Sequence, residues 1–229
     1  MRTECANCPV EKRGLTGKNA GSPATLPDCV FHPTRFRRGQ ILFSEGGEAR
    51  HIFALRSGVV KIVKPLENGK DRIIQILFPG DIFGLEVLTE PTYPLTAIVL
   101  KDAEICLAPR DAFLSYLRSD IELALRMVRF LIAEAQQARL HMADMSFKDA
   151  RMRVATLLLS LAPAENGKAV VPLVFSLPFS SQEMGEVLEL SPETVSRTLG
   201  GLDREGLIQK HGRHVSIPDL NRLQDAARR

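Results

Sequence analysis

SSQEMGEVLELSPETVSRTLGGLDREGL, residues 180–207, is punctuated as two short helices joined by a tight turn. Ser180 with Glu183 three residues on is a capping box, which starts a helix predicted to run to about Leu188. Glu189-Leu190-Ser191-Pro192 supplies the turn. Ser191 can cap a second helix, and Pro192 suits its first position, where no backbone donor is lost. That helix is predicted to pass Leu199 and end near Asp203. Two short helices so joined make a helix-turn-helix.

The second helix has a divided surface. Glu193, Ser196 and Arg197 stand at i, i+3 and i+4 and project together, while Val195 and Leu199 point inward. The arginine fork can grip guanine O6 and N7, a glutamate can accept from cytosine N4, and a serine can contact a base or a phosphate. The plainer reading is an exposed Glu–Arg pair worth roughly a few tenths of a kcal/mol. Ser180, Ser181 and Thr194, beside the two helix starts, are further candidate DNA contacts. Downstream, Gly206–Lys210 and Val215–Ile217 read as short strands joined by His211-Gly212-Arg213-His214. In such a wing Lys210 and Arg213 could hold phosphates and fix register without reading sequence.

Upstream the period is helical. From Ile121 the apolar positions are Leu125, Val128, Ile132, Ala135, Met142 and Met145, a 4-3-4-3 spacing broken at Arg139. This is a heptad seam. It predicts a parallel dimer interface, with Arg126, Arg129, Glu134 and Gln137 forming a polar opposite face. The alternative is a helix lying on its own barrel. A second amphipathic helix is predicted around Ala150–Ala162, then a loop at 164–168 and a strand from Val170 to Leu177.

From Phe36 to about Pro109 short apolar runs recur at 41–43, 51–55, 59–63, 72–77 and 95–99. Glycine turns separate them at Gly39, Gly46-Gly47, Ser57-Gly58 and Pro79-Gly80-Asp81. Such spacing indicates an antiparallel barrel or sandwich, and Asn68-Gly69 is a strong hairpin signal. Residues 1–35, rich in glycine and proline, read as an irregular arm carrying Cys5, Cys8 and Cys29.

Composition narrows the classes. The 229 residues are 45% hydrophobic and 25% charged, ordinary for a globular protein. No apolar run is long enough to cross a bilayer, and the N-terminus lacks the apolar region of a signal peptide, so a cytoplasmic protein without a membrane partner is expected. A net charge of +3 neither demands nor excludes nucleic acid. Cys5-Ala-Asn-Cys8 suits metal ligation or redox chemistry better than packing.

The ordered set of motifs resembles the bacterial CRP/FNR superfamily, named for the cyclic-AMP receptor protein and the fumarate–nitrate reduction regulator, over roughly residues 36–220. Arg38-Gly39-Gln40-Ile41-Leu42-Phe43, Ile52-Phe53-Ala54-Leu55 and Phe78-Pro79-Gly80-Asp81-Ile82-Phe83-Gly84 are similar to its β-roll. Glu193-Thr194-Val195-Ser196-Arg197 is similar to its recognition helix. The resemblance implies an α+β chain: arm (1–35), sensor β-roll like a cyclic-nucleotide-binding domain (36–112), long dimerisation helix (113–147) and winged helix-turn-helix (148–229).

It also implies a branch. Gly84 is followed by Leu85, and the later position reads Leu95-Thr96, so the Gly-Glu and Arg-Ser that hold ribose and phosphate in cyclic-nucleotide sensors are missing. Burying a phosphate without a cation is too costly. Glu193, Ser196 and Arg197 match the FNR-like branch, whose half-site would resemble TTGAT in an inverted repeat. Pro192 stands where the cyclic-AMP receptor has a further base-reading arginine.

By the same resemblance, Cys5, Cys8, Cys29 and Cys106 would hold a [4Fe–4S] cluster sensing oxygen or redox state; four thiolates are the usual count. Cys29 departs from the family, lying 21 residues after Cys8 and only ten before Gly39. Zinc or a redox disulfide at Cys5 and Cys8, and plain burial of Cys106, remain open. So does a roll that binds haem or a small organic ligand, with His32, His51 or His141 as candidate axial ligands. A cupin-like enzyme is the remote alternative, since His51 lacks the paired-histidine spacing of such sites. The loop from Lys64 to Arg72 is the family's analogue for touching RNA polymerase.

Overall fold

The computed structural model describes residues 32–66, 71–147, 149–162 and 172–228. The Asn68-Gly69 turn and Cys5, Cys8 and Cys29 therefore lie outside the described residues. The chain divides into two compact units, Met1–Arg139 and Leu140–Arg229.

The first unit is built on a six-stranded antiparallel sheet: β1 (His32–Phe36), β2 (Ile41–Phe43), β3 (His51–Pro65), β4 (Asp71–Leu77), β5 (Ile82–Phe83) and β6 (Thr96–Pro109). Its order is β1-β6-β3-β4, with β2 also on β6 and β5 also on β3. β1 begins inside the stretch read as an irregular arm. Its pairing with β6, from His32 opposite Leu107 to Phe36 opposite Ala103, supplies an order that proline-rich local sequence does not announce.

Ser57-Gly58 is not a turn, as the sequence suggests, but a bulge within one 15-residue strand. Gly58 has φ +94°, and a Cβ there would lie 2.5 Å from Ala103 Cα. Only glycine gives β3 the left-handed kink and the closeness to β6.

The roll's core is aromatic at one end. Phe43 stacks on Tyr93 with centroids 3.9 Å apart, and Phe53 on Phe83 at 5.1 Å. The Tyr93 hydroxyl donates to the His51 carbonyl at 2.7 Å and accepts from its N–H at 3.0 Å. Burial pushes the Tyr93 phenol above its ordinary value.

The long helix expected over 113–147 is two: α1 (Arg110–Ser119) and α2 (Ile121–Phe147). Asp120 breaks them in an extended conformation, and its carboxylate caps α2 by accepting the Leu123 N–H at 3.1 Å. The face of α2 opposite the seam is not polar as expected. Leu123, Met127 and Phe130 are buried there in the roll's core cluster. The apolar period thus runs on both sides of α2, and the seam residues hid the second stripe.

The second unit holds α3 (Ala150–Leu161), β7 (Leu173–Ser176), α4 (Ser181–Leu188), α5 (Pro192–Arg204), β8 (Gln209–His211), β9 (His214–Ile217) and α6 (Leu220–Ala226). The strands form a sheet in the order β7-β9-β8. Val154, Leu158, Met184, Leu188, Val195, Leu199, Leu202, Ile208, Val215, Ile217 and Leu223 are buried, as one face of each helix and strand requires. Among the described residues no helix is long and apolar enough to cross a membrane.

Candidate nucleic-acid interface

α4 starts on the capping box the sequence announces. Ser180 Oγ accepts the Glu183 N–H at 3.1 Å, and Glu183 Oε2 accepts the Ser180 N–H at 2.8 Å. Ser180 and Ser181 are exposed at this start. At its far end Glu189 takes a left-handed conformation, φ 54°, and the Leu188 carbonyl accepts from Arg153 Nη1 at 3.0 Å. α5 begins with Ser191 Oγ accepting the Thr194 N–H at 3.1 Å and Pro192 in the first turn.

The turn between α4 and α5 crosses close to Gly185, a residue the sequence reading passed over. The Leu190 N–H donates to the Gly185 carbonyl at 2.9 Å, and a Cβ on Gly185 would lie 2.6 Å from the Leu190 carbonyl oxygen. A glycine inside a capped helix was the available signal. Glycine-to-alanine in a helix ordinarily stabilises by about 1 kcal/mol. Here Gly185→Ala is expected to destabilise the second unit by about 1–3 kcal/mol through this backbone clash, read as a lower thermal midpoint.

On α5, Glu193, Ser196 and Arg197 are exposed, and Val195, Leu199 and Leu202 are buried. At about 100° per residue the exposed trio spans about 100° of arc, centred about 140° from the arc of the buried three. Thr194 is half-buried. Among the described residues Glu193 and Arg197 have no ion-pair partner, so the helix-surface pair envisaged as the plainer reading is not formed. Both heads remain available to a ligand.

The wing follows at once. Gly212, φ +61°, makes the hairpin turn, and His211 pairs with His214. Arg213 is exposed at the tip, and Lys210 is half-buried at the root. The Asp203 carboxylate accepts the Lys210 N–H at 3.0 Å. Arg151 makes a two-pronged contact with Glu205, Nη1–Oε1 2.8 Å and Nη2–Oε2 2.5 Å, joining α3 to the end of α5. Neither Asp203 nor this pair was singled out from sequence, where isolated carboxylates carry no positional signal.

The seam residues of α2 lie open. Ile121 is 71% exposed, Leu125 42%, Val128 51% and Ile132 53%, and Ala135 is exposed beside them. Met142 is within α2, but its side chain lies outside what the structure describes.

Cys106 sits on β6, 8% exposed in the core cluster, opposite Pro33 of β1 and Ala54 of β3. Pro33 is four residues from Cys29, at most about 14 Å of extended chain. Strand pairing thus sets Pro33, near the end of the arm, opposite Cys106. Among the described residues no three side chains are gathered to hold a metal. His51 is half-buried, with its backbone tied to Tyr93. The side chains of His32 and His141 are not described.

Comparison with known proteins agrees with this layout. Residues 33–120 match the family described as a cyclic nucleotide-binding domain, and residues 152–226 the Crp-like helix-turn-helix domain. The chain is 31% identical over 216 residues to the nitrogen fixation regulation protein FixK of Azorhizobium caulinodans, covering 93% of this chain and 86% of that one. It is 28% identical over 198 residues to the anaerobic regulatory protein of Haemophilus influenzae, covering 86% and 77%. Among solved structures, FixK2 from Bradyrhizobium japonicum superposes with a TM-score of 0.72 at 29% identity, covering 86% of this chain and 97% of that one.

Proposed function

Because this chain belongs to the CRP/FNR superfamily of transcription regulators, we propose that it works as a homodimer reading an inverted repeat with TTGAT-like half-sites. The observation that carries this is the outward, unpaired trio Glu193, Ser196 and Arg197 on a helix whose other face is buried. The open apolar stripe from Ile121 to Ala135 supports the dimer, since a seam this exposed is an unfavourable surface for a monomer. Ser180, Ser181, Thr194, Lys210 and Arg213 hold phosphates and set register; the trio reads bases. Selection from a pool of random duplexes tests this. The expected outcome is an inverted TTGAT repeat; recovery of unrelated or non-repeated sequences would refute it.

The sensing input is oxygen or redox state, through a [4Fe–4S] cluster held by Cys5, Cys8, Cys29 and Cys106. Two observations support this reading: β1 leads the arm back beside Cys106, and one relative is named an anaerobic regulatory protein. When bound, such a cluster supplies a link between arm and roll that oxygen or nitric oxide can break. The chain's own contribution is to present a buried thiol where the arm re-enters the sheet. Leu95 stands where the phosphate-holding arginine would be, and the neighbouring Thr96, at the serine position, is buried and accepts the Glu45 N–H at 2.9 Å, which favours an input other than a cyclic nucleotide. The regulator acts in the cytoplasm, with RNA polymerase as its partner at the Lys64–Arg72 segment, whose ends pair between β3 and β4.

Protein purified without oxygen is expected to be brown, to contain about four irons and four sulfides per chain, and to bleach in air. Cys106→Ala should lower that iron content; alanine is the cleaner change, because a serine hydroxyl buried in the core cluster would itself cost the roll about 1–3 kcal/mol. A colourless preparation with no iron would refute the cluster; a sharp Soret band would replace it with haem.

A further inference from the structure

The wing is pinned at both ends by groups outside it. At the root, Asp203 Oδ1, in the last turn of α5, accepts the Lys210 N–H at 3.0 Å across seven residues. At the tip, Ser176 Oγ of β7 is hydrogen-bonded to His214 Nδ1 at 2.9 Å, and the Leu177 N–H donates to the Arg213 carbonyl at 2.8 Å. Between Asp203 and Lys210, Leu207 and Ile208 are buried, and the N–H groups of both turn back to the Leu202 carbonyl. The chain thus leaves the recognition helix and enters the wing with its direction held by side chains from α5 and β7.

Asp203 is exposed, on the same helix as the base-reading trio. A carboxylate there opposes a polyanion, and its removal should tighten DNA binding by charge alone. Its acceptor oxygen acts the other way, since it holds the strand that carries Lys210 and leads into the turn with Arg213.

We propose that Asp203 is a positioning residue for DNA binding, with Ser176 as its counterpart at the wing tip. Asp203 sets the wing's height against α5, so that Lys210 and Arg213 reach phosphates at the same depth at which Glu193, Ser196 and Arg197 reach bases. This rests on the reading above that the wing meets phosphate.

Asp203→Ala and Asp203→Asn remove the same charge, but only the amide keeps an acceptor. Binding of the full-length chain to a TTGAT inverted repeat is measured across a salt series, with a thermal midpoint for each variant. Asp203→Ala should bind roughly 10-fold more weakly, with a salt slope shallower by about 0.9 for each phosphate the wing no longer reaches. Its half-site preference should be unchanged. Asp203→Asn should bind at least as tightly as the parent with the parent's slope. Ser176→Ala should also lower the slope, and carries the test alone if Asp203→Ala does not fold.

If both Asp203 variants shift together, or the alanine variant keeps the parent's slope, charge is the whole effect and positioning is refuted. A parental slope for Ser176→Ala refutes the tip anchor, and the whole proposal where that variant stands alone. The double variant Lys210→Ala/Arg213→Ala separates the two layers. A lowered slope there with an unmoved one in Asp203→Ala sinks positioning only; an unmoved slope in the double variant sinks the phosphate reading and this proposal with it.

Discussion

Arg197→Ala is expected to erase the preference for an inverted TTGAT repeat over random duplex while leaving much of the non-specific affinity in place. A two-pronged arginine–guanine contact discriminates by about 1–3 kcal/mol, and a dimer makes it twice, so about 2–6 kcal/mol of specificity is at stake. Arg197 is exposed, so its removal leaves the buried stripe of Val195, Leu199 and Leu202 intact. Arg197→Lys sharpens the test. It keeps the charge and loses the planar fork, and should recover phosphate-driven affinity but not preference. Glu193→Gln should relax selection at one base position, because a neutral amide both donates and accepts where the carboxylate only accepts. Fluorescence anisotropy with matched and scrambled duplexes reads all three.

The second large effect is expected on α2. Val128 and Ile132 are about half exposed on the open seam, and Leu123, Met127 and Phe130 on the other side are buried. Val128→Asp with Ile132→Asp should therefore spare the fold of the roll and yield a monomer. In the dimer those carboxylates would meet their copies in an apolar seam, which costs several kcal/mol. The monomer loses the intramolecular advantage of a second half-site, about 10²–10⁴ in affinity for the full repeat. Sedimentation gives the mass and anisotropy the affinity. Leu123→Ala makes the contrast: it opens the core and should lower the thermal midpoint by an amount set by about 2–5 kcal/mol.

The difference between those two faces shows what the sequence could and could not convey. The seam from Ile121 to Ile132 was legible as a 4-3-4 spacing, because each of its four members is large and apolar. The stripe of Leu123, Met127 and Phe130 was masked, since a helix apolar on two sides averages toward no preferred side. Capping chemistry was the most legible feature of all. Ser180 with Glu183, and Ser191 before Pro192, mark helix starts by local hydrogen bonding that needs no tertiary partner.

What depended on distant chain was not legible. Gly58 read as a turn because the sequence does not show Ala103 lying against it. β1 read as irregular because its order comes from β6, about seventy residues away. Gly185 and Asp203 are ordinary letters in the string and acquire meaning only when Leu190 and Lys210 fold back on them.

In the proposed dimer, two copies of the α5 trio, held by one seam, meet two half-sites one DNA turn apart. Varying the spacer between the half-sites is the most direct test of this arrangement. With the halves centred about one helical turn apart the chain should bind tightly and protect both. Five inserted base pairs turn the second half-site to the opposite side of the duplex, and affinity should fall to that of a single half-site. Equal affinity for both spacings, with one chain bound per half-site, would contradict the account.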